Sequence, residues 1–186
     1  MKRLKILVAD DESIIRMGLR TMLTELGHEV LLASNGRDAL QLVRTQTPDL
    51  ALLDIQMPLT DGLEAAKVIA RKHPMPILIL TAYSEQDLIE RAAQLPIQGY
   101  LIKPVNERDL AAAIQVALAR FEDSQASTRE ITELRENLEA RKLVDRAKGI
   151  LMQNGMSESE AYLTIQRRAR ESHQTMRRAA EEILKG

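Results

Sequence analysis

The stretch Ala51-Leu52-Leu53-Asp54-Ile55-Gln56-Met57-Pro58 decides how this chain is read. Three apolar residues end on an acid, and a proline follows four positions later. The pattern predicts a buried strand that delivers one carboxylate to its C-terminal tip, with Pro58 turning the chain into a loop. In an open parallel α/β sheet, ligands and chemistry collect at the carboxyl ends of the strands. Asp54 is therefore the residue around which a site is to be sought.

Outward from that stretch, short apolar runs alternate with amphipathic ones. Leu4–Ala9 reads as a strand. Ser13–Leu26 reads as a helix with Ile14, Ile15, Leu19, Met22, Leu23 and Leu26 on its buried side, closed by Gly27. Glu29–Ala33 and Gly36–Arg44 form the next pair, then Leu50–Asp54 and Gly62–Lys72, with Asp61 as N-cap. Pro76–Thr81 is continuously apolar, as a strand covered on both faces should be, and Ser84–Leu95 follows as a helix. Gly99–Ile102 is the fifth strand. Asn106–Phe121 is the helix after it, with an Asn cap and Asp109 three residues on. Five β-α units in strict alternation predict an α/β fold: a parallel sheet with helices on both faces, linked by right-handed crossovers.

The 186 residues are 45% hydrophobic and 28% charged, enough for one domain or for a domain plus a smaller module. Aromatic residues make up only 2%, so the core must be aliphatic. The absence of cysteine excludes disulfides and thiolate metal sites and agrees with a reducing cytoplasm. The apolar run Lys5–Ala9 is cut off by Asp10-Asp11-Glu12, too early for a signal peptide. No segment approaches the roughly 20 apolar residues of a membrane span. The expectation is a soluble, cytoplasmic protein. Residues 1–123 hold 14 Lys/Arg against 17 Asp/Glu, and residues 124–186 hold 12 against 10. That mild asymmetry permits nucleic-acid binding by the C-terminal part without arguing strongly for it.

At the predicted strand tips stand Asp10 and Asp11, Asp54, Thr81, and Lys103-Pro104. Carboxylates in close range repel one another unless a cation sits among them, and oxygen-only ligands favour Mg²⁺ over a softer metal. A lysine beside them offers a point charge suited to a phosphoryl oxygen. Together these groups suit phosphoryl transfer onto a carboxylate.

Asp10-Asp11, Asp54-Ile55-Gln56-Met57-Pro58, Thr81-Ala82 and Tyr100-Leu101-Ile102-Lys103-Pro104 resemble, in order, the motifs of a response-regulator receiver domain of two-component signalling. The resemblance implies a flavodoxin-like sheet of order 2-1-3-4-5. It implies that Asp54 accepts phosphate from a histidine kinase. Asp11 and Asp54, with Asp10 through water and the Gln56 carbonyl, would hold Mg²⁺. Lys103 would pair with the phosphoryl group, with Pro104 after a cis bond, and Thr81 and Tyr100 would act as switch residues. Gln94-Leu95-Pro96-Ile97 departs from the small, Gly-containing turn usual before the fifth strand.

From Phe121 the chain turns polar but contains neither Gly nor Pro before Gly149, so a helix can continue. Ile131, Leu134 and Leu138 fall at a/d spacing, although the register extended back meets Ser124 and Ser127. Either one amphipathic helix or a coiled-coil dimer segment fits. Leu138–Gln153 carries the apolar stripe Leu143, Val144, Ala147, Ile150 and Leu151. Gly149 in mid-helix costs about 1 kcal/mol relative to Ala, which points to close backbone approach by another group. Asn154-Gly155 stops that helix. Ser157-Glu158-Ser159-Glu160 is a capping box opening a second, with Ala161, Tyr162, Ile165 and Ala169 along its inner face. Thr175 caps a third helix bearing Met176, Ala179, Ala180, Ile183 and Leu184. Three short helices also make the core of a DNA-binding helix-turn-helix.

Arg146-Ala147-Lys148-Gly149-Ile150-Leu151-Met152, Ser157-Glu158, Ala161-Tyr162, Ala169 and Ala180 instead resemble the ANTAR domain of transcription antitermination regulators. By that resemblance the module binds RNA and stabilises a paired-hairpin antiterminator. Lys148 and Gly149 are the RNA-contact candidates, Arg141, Arg146, Arg167 and Arg168 the phosphate candidates, and Tyr162 either a core or a base-stacking residue. Met152, Ala161 and Ala169 are assigned to the core, and His28, His73 and His173 to no site. The expected organisation is a receiver over 1–121, a helical or coiled-coil linker over 122–140, and a three-helix module over 130–186 that overlaps the linker. The expected protein is a regulator and not an enzyme, with a histidine kinase and RNA as partners and a homodimer on activation. A DNA-binding regulator is the alternative. A Mg²⁺-dependent aspartyl hydrolase is the more remote one, because the Asp-x-Asp pair and substrate cap it needs are missing.

Overall fold

The computed structural model describes residues 3–82 and 95–185. The helix expected over Ser84–Leu95 lies outside them except for its last residue. Contacts divide the chain into two units, residues 1–124 and 125–186.

In the first unit, β1 (Lys5–Ala9), β2 (Glu29–Ala33), β3 (Leu50–Asp54), β4 (Ile77–Thr81) and β5 (Gly99–Ile102) form one parallel sheet in the order β2-β1-β3-β4-β5. Alternate residues of the central strands face opposite sides. Leu7, Ala51, Leu53, Ile77 and Ile79 pack on one face against Ala39 and Val43 of α2 (Gly36–Gln46) and Ala65, Ala66 and Ile69 of α3 (Gly62–Lys72). Ile6, Val8, Leu50, Leu52, Leu78 and Leu80 pack on the other, against Leu19 and Leu23 of α1 (Ser13–Glu25). That second face also receives Leu110, Ile114 and Ala117 from the start of α4 (Glu107–Gln153). Fully burying one such aliphatic side chain contributes about 1.5–3 kcal/mol, so the two layers dominate the stability of the unit.

The expected caps are present. Asp61 accepts from the Glu64 N–H at 2.7 Å, and Asn106 from the Asp109 N–H at 2.9 Å. Gly27, with φ of 86°, takes the left-handed turn that ends α1. Ile14, expected on the buried side of α1, is 77% exposed. The helical period fixes the angular width of an apolar stripe, but Ile14 lies at its edge in the first turn, beyond the reach of the sheet.

The chain continues as helix from Glu107 to Gln153 without a break. Within the second unit, Leu143, Val144, Ala147 and Leu151 of α4 pack against Ile165 and Ala169 of α5 (Glu158–Glu171) and Ala179 and Ala180 of α6 (Met176–Lys185). Gly155, with φ of 94°, ends α4. The Ser157–Glu160 capping box is fully formed at the start of α5, and the Thr175 hydroxyl accepts from the Arg178 N–H at the start of α6. Two residues expected inside, Ile150 and Met152, are exposed, and Tyr162, open between core and base stacking, is exposed as well, because the small core of this unit is closed by alanines and leaves the flanks of its apolar stripes uncovered.

Candidate functional site

Strand register alone brings the acids together. Ala9 pairs with Leu53, so Asp10 and Asp54 emerge side by side, and Asp54 pairs with Leu80, one residue before Thr81. Thr81 pairs with Ile102, which sets Lys103 one step beyond, and the Lys103 N–H donates to the Thr81 carbonyl at 2.9 Å. Asp10, Asp11 and Asp54 each offer a carboxylate oxygen, all within 4.8 Å of one another. Asp10 and Asp54 are buried, whereas Asp11 stands at the surface.

Lys103 is the local counter-charge. Its ammonium lies 2.8 Å from Asp10 Oδ2 and 2.7 Å from Asp54 Oδ1. Burial works against its charge, but the two carboxylate pairs outweigh burial and hold the ammonium above the usual lysine range. For Asp54 the balance tips the other way. Burial, aided by the neighbouring Asp10 and Asp11 charges, pushes its carboxyl up to about 6 in spite of Lys103. The peptide bond between Lys103 and Pro104 is cis, as the resemblance implied.

The second oxygen of Asp10, Oδ1, accepts from the Glu12 N–H at 2.8 Å. Oδ2 meets Lys103 but receives no hydrogen bond of good geometry from any described residue. An under-satisfied buried oxygen facing two further carboxylates is what a hard divalent cation requires. Asp10, Asp11 and Asp54 therefore fit Mg²⁺. Gln56, the fourth expected ligand through its carbonyl, lies in the exposed turn after β3.

Three contributors were not evident in the chain. Arg16 donates to the Asp10 carbonyl at 2.6 Å, fixing the backbone that carries the acid pair. Gly62 lies flush against the Asp54 carbonyl, where any Cβ would collide with the oxygen, and its N–H donates to the Ile55 carbonyl at 2.9 Å. Gly36 lies against the Thr60 carbonyl, somewhat less tightly but still with no room for a Cβ, which fastens the loop after β3 to the start of α2. Arg16 does fall one and a half turns after the acid pair, but the glycine contacts are tertiary and leave no local signature.

The remaining switch candidates are placed apart. Thr81 is buried, and its hydroxyl donates to the Ala82 carbonyl at 3.1 Å. Tyr100 is 36% exposed and lines a cavity of about 330 Å³ with Gly99, Ala112, Ala113, Val116 and Arg120. His28 is structural: buried, it accepts the Leu4 N–H on Nδ1, and burial holds it below the usual histidine range.

In the second unit, helical spacing divides the nucleic-acid candidates between faces. Relative to the buried Ala147, Lys148 shares one flank of α4 with Arg141 and the exposed Met152, whereas Arg146 falls on the other. Lys148 is not free. Its ammonium lies 3.1 Å from Asp145 Oδ1 and 2.9 Å from Glu158 Oε1. Gly149 has nothing of the chain within 4 Å of where its Cβ would sit, so the expected close approach does not come from the described residues. Tyr162 is 46% exposed, on α5 one residue after the buried Ala161. Arg167 lines a shallow groove with Met156 and Leu163 on the outer face of α5, and Arg168 falls on the side of α5 away from Tyr162.

Comparisons with known proteins match both units. Residues 6–115 fit the response regulator receiver domain, and residues 132–184 fit the ANTAR domain. The transcriptional regulatory protein PdtaR of Mycobacterium tuberculosis is 44% identical over 182 residues, covering 97% of this chain and 89% of that protein. AfsQ1 of Streptomyces coelicolor, also a transcriptional regulatory protein, is 38% identical over 117 residues, which is 63% of this chain and 52% of that one. The crystal structure of a response regulator receiver domain protein from Clostridium thermocellum superposes with a TM-score of 0.60 at 34% identity, over 63% of this chain and 96% of that one.

Proposed function

The chain belongs to the response regulators, with a receiver domain followed by an ANTAR domain, and from that premise we propose that it is a phosphorylation-controlled antiterminator that binds RNA hairpins in the cytoplasm. The observation that carries the first half is the convergence of Asp10, Asp11 and Asp54 on one sheet edge with Lys103 bridging two of them. In this reading an Asp54 carboxylate oxygen attacks the phosphorus of a kinase phosphohistidine. The P–N bond breaks, and its electron pair returns to the imidazole nitrogen. Mg²⁺ held by Asp10, Asp11 and Asp54, with the Gln56 carbonyl, would neutralise the carboxylates and the incoming phosphoryl oxygens. Lys103 then exchanges its pair with Asp54 for a phosphoryl oxygen. The Thr81 hydroxyl follows the phosphate, and Tyr100 turns inward from its exposed position. A switch from mostly off to mostly on needs a differential of about 5 kcal/mol, to which these charge-assisted contacts contribute.

Lys148, Gly149, Arg141 and Tyr162 support the output half, as a basic and aromatic flank on the C-terminal unit, with Arg146, Arg167 and Arg168 as further phosphate contacts. Ile131, Leu134 and Leu138 are exposed on an unbroken helix, and a second copy in parallel register would cover them. Glu130 and Arg135 then fall at g and e positions, where opposite charges pair across such a seam.

The test is RNA captured from a transcript pool by the full chain, with and without a small acyl-phosphate donor, for wild type and Asp54→Asn. Donor-dependent enrichment of hairpins that disappears in Asp54→Asn is expected. Phosphate uptake by Asp54→Asn with retained RNA binding, or a preference for duplex DNA at matched salt, would overturn the reading.

A further inference from the structure

We propose that Glu158, assisted by Asp145, is a specificity-determining residue of the RNA-binding face, acting as an intramolecular stand-in for phosphate on Lys148. The inference rests on the reading of the C-terminal unit as an RNA module and adds to it what controls the access of RNA to its lysine.

The geometry is built by the fold. Glu158 is the first residue of α5, and the Ser157–Glu160 capping box fixes the backbone on which it stands. A helix N-terminus favours an anion there. The Glu158 carboxylate reaches across the turn to α4, while Asp145 reaches Lys148 from one helical turn before it. The lysine side chain is only 18% exposed, against 56% for Asp145 and 69% for Glu158. Two of the three ammonium donors are thereby engaged. The hydrogen bond to Glu158, and then the one to Asp145, raises the ammonium above the usual lysine range, so the lysine stays charged at neutral pH.

Tyr162 follows Glu158 by four residues, on the same flank of α5 and open to solvent. An RNA that stacks a loop base on Tyr162 brings its backbone to the carboxylate pair. Any RNA phosphate arriving there meets two negative charges and must take Lys148 from them. A strand offering one phosphate and nothing else gains little from that exchange, whereas a hairpin loop that also stacks a base does. Repulsion of the wrong ligand is a recognised route to specificity.

The test compares binding of a hairpin RNA and an unstructured RNA of the same length by the full chain, at 50, 100 and 200 mM salt. The variants are Glu158→Gln, Asp145→Asn, Lys148→Gln and the double Lys148→Gln/Glu158→Gln, each confirmed as folded by circular dichroism. Glu158→Gln is expected to tighten unstructured RNA roughly 3–10-fold, and the hairpin less, which narrows the preference; one added phosphate contact steepens the salt dependence by about 0.7–0.9. Asp145→Asn moves the same way by a smaller factor. Lys148→Gln weakens the hairpin, and in its background Glu158→Gln tightens unstructured RNA by a smaller factor than in the wild type, because only charge repulsion is relieved and no lysine is released. Unchanged or weaker binding by Glu158→Gln overturns the proposal. So does a folded Lys148→Gln that binds the hairpin as wild type does, an outcome that leaves the RNA reading standing. A wild-type chain that binds no hairpin RNA, with or without a phosphate donor, removes that reading and this inference with it.

Discussion

Lys103 lies 2.8 Å from Asp10 and 2.7 Å from Asp54, and Lys148 lies 3.1 Å from Asp145 and 2.9 Å from Glu158. The two lysine side chains are equally exposed, at 17% and 18%, but their partners are not. Asp10 and Asp54 are buried at strand tips, while Asp145 and Glu158 stand in water. The same trio of charges is therefore a structural necessity in one unit and a readily exchanged arrangement in the other. Removing the lysine strands two buried charges in the first case, and in the second it only returns two carboxylates to solvent. Burial of the partners, more than the lysine distances, decides what each trio can do.

The contrast is strongest for the backbone. Gly62→Ala drives a methyl group into the Asp54 carbonyl and should destabilise the receiver by about 3 kcal/mol in urea melts. Lys103→Met should cost about 2–3 kcal/mol at pH 7, part of it recovered by added Mg²⁺. Lys148→Met should leave the midpoint where it was. Equal effects of these two lysine substitutions would break the comparison.

Asp54 sharpens it through pH. Its folded carboxyl sits at about 6, above the ordinary value of 3.8. Between about pH 4 and 6 the folded receiver therefore binds more proton than the unfolded chain, so metal-free stability is lost as pH rises through that window. Asp54→Asn should abolish the loss and gain about 1–2 kcal/mol at pH 7, measured without Mg²⁺. Mg²⁺ affinity of the wild type, followed by titration calorimetry, should fall as pH drops through 6. The smallest effect belongs to the second unit. Gly149→Ala fills open space, and scanning calorimetry should show a gain of about 0.5–1 kcal/mol. A loss would mean that the chain itself requires the glycine.

The strand tips were legible because each is an apolar run ending on a charged or hydroxyl residue, as in Ala51–Asp54 and Ile77–Thr81. The caps were legible because Asp61, Asn106 and Ser157 satisfy donors within three residues. Gly36 and Gly62 were not, since the atoms that crowd them belong to Thr60 and Asp54, and a glycine before a helix reads as ordinary punctuation. Ile14, Ile150 and Met152 misled for a different reason. Periodicity gives the direction of an apolar stripe but not how much of its width a neighbour covers. The Lys148–Glu158 pair joins residues ten apart across a turn, and no spacing rule marks it.

Leu59 offers a last consequence. Its φ of 70° is left-handed, and the Thr60 N–H donates to the Pro58 carbonyl at 2.8 Å around it, which makes a γ-turn of the rare, strained hand. The turn is clamped on both sides by glycines that admit no Cβ, yet the Leu59 side chain itself is open to solvent. The acceptor loop therefore divides its tolerance to substitution unevenly. A saturation library across residues 55–62 should accept glycine, asparagine and most unbranched side chains at 59 while rejecting proline and β-branched residues for their backbone alone, and position 62 stays closed. The stretch that looks most variable from outside is held on a backbone that cannot vary.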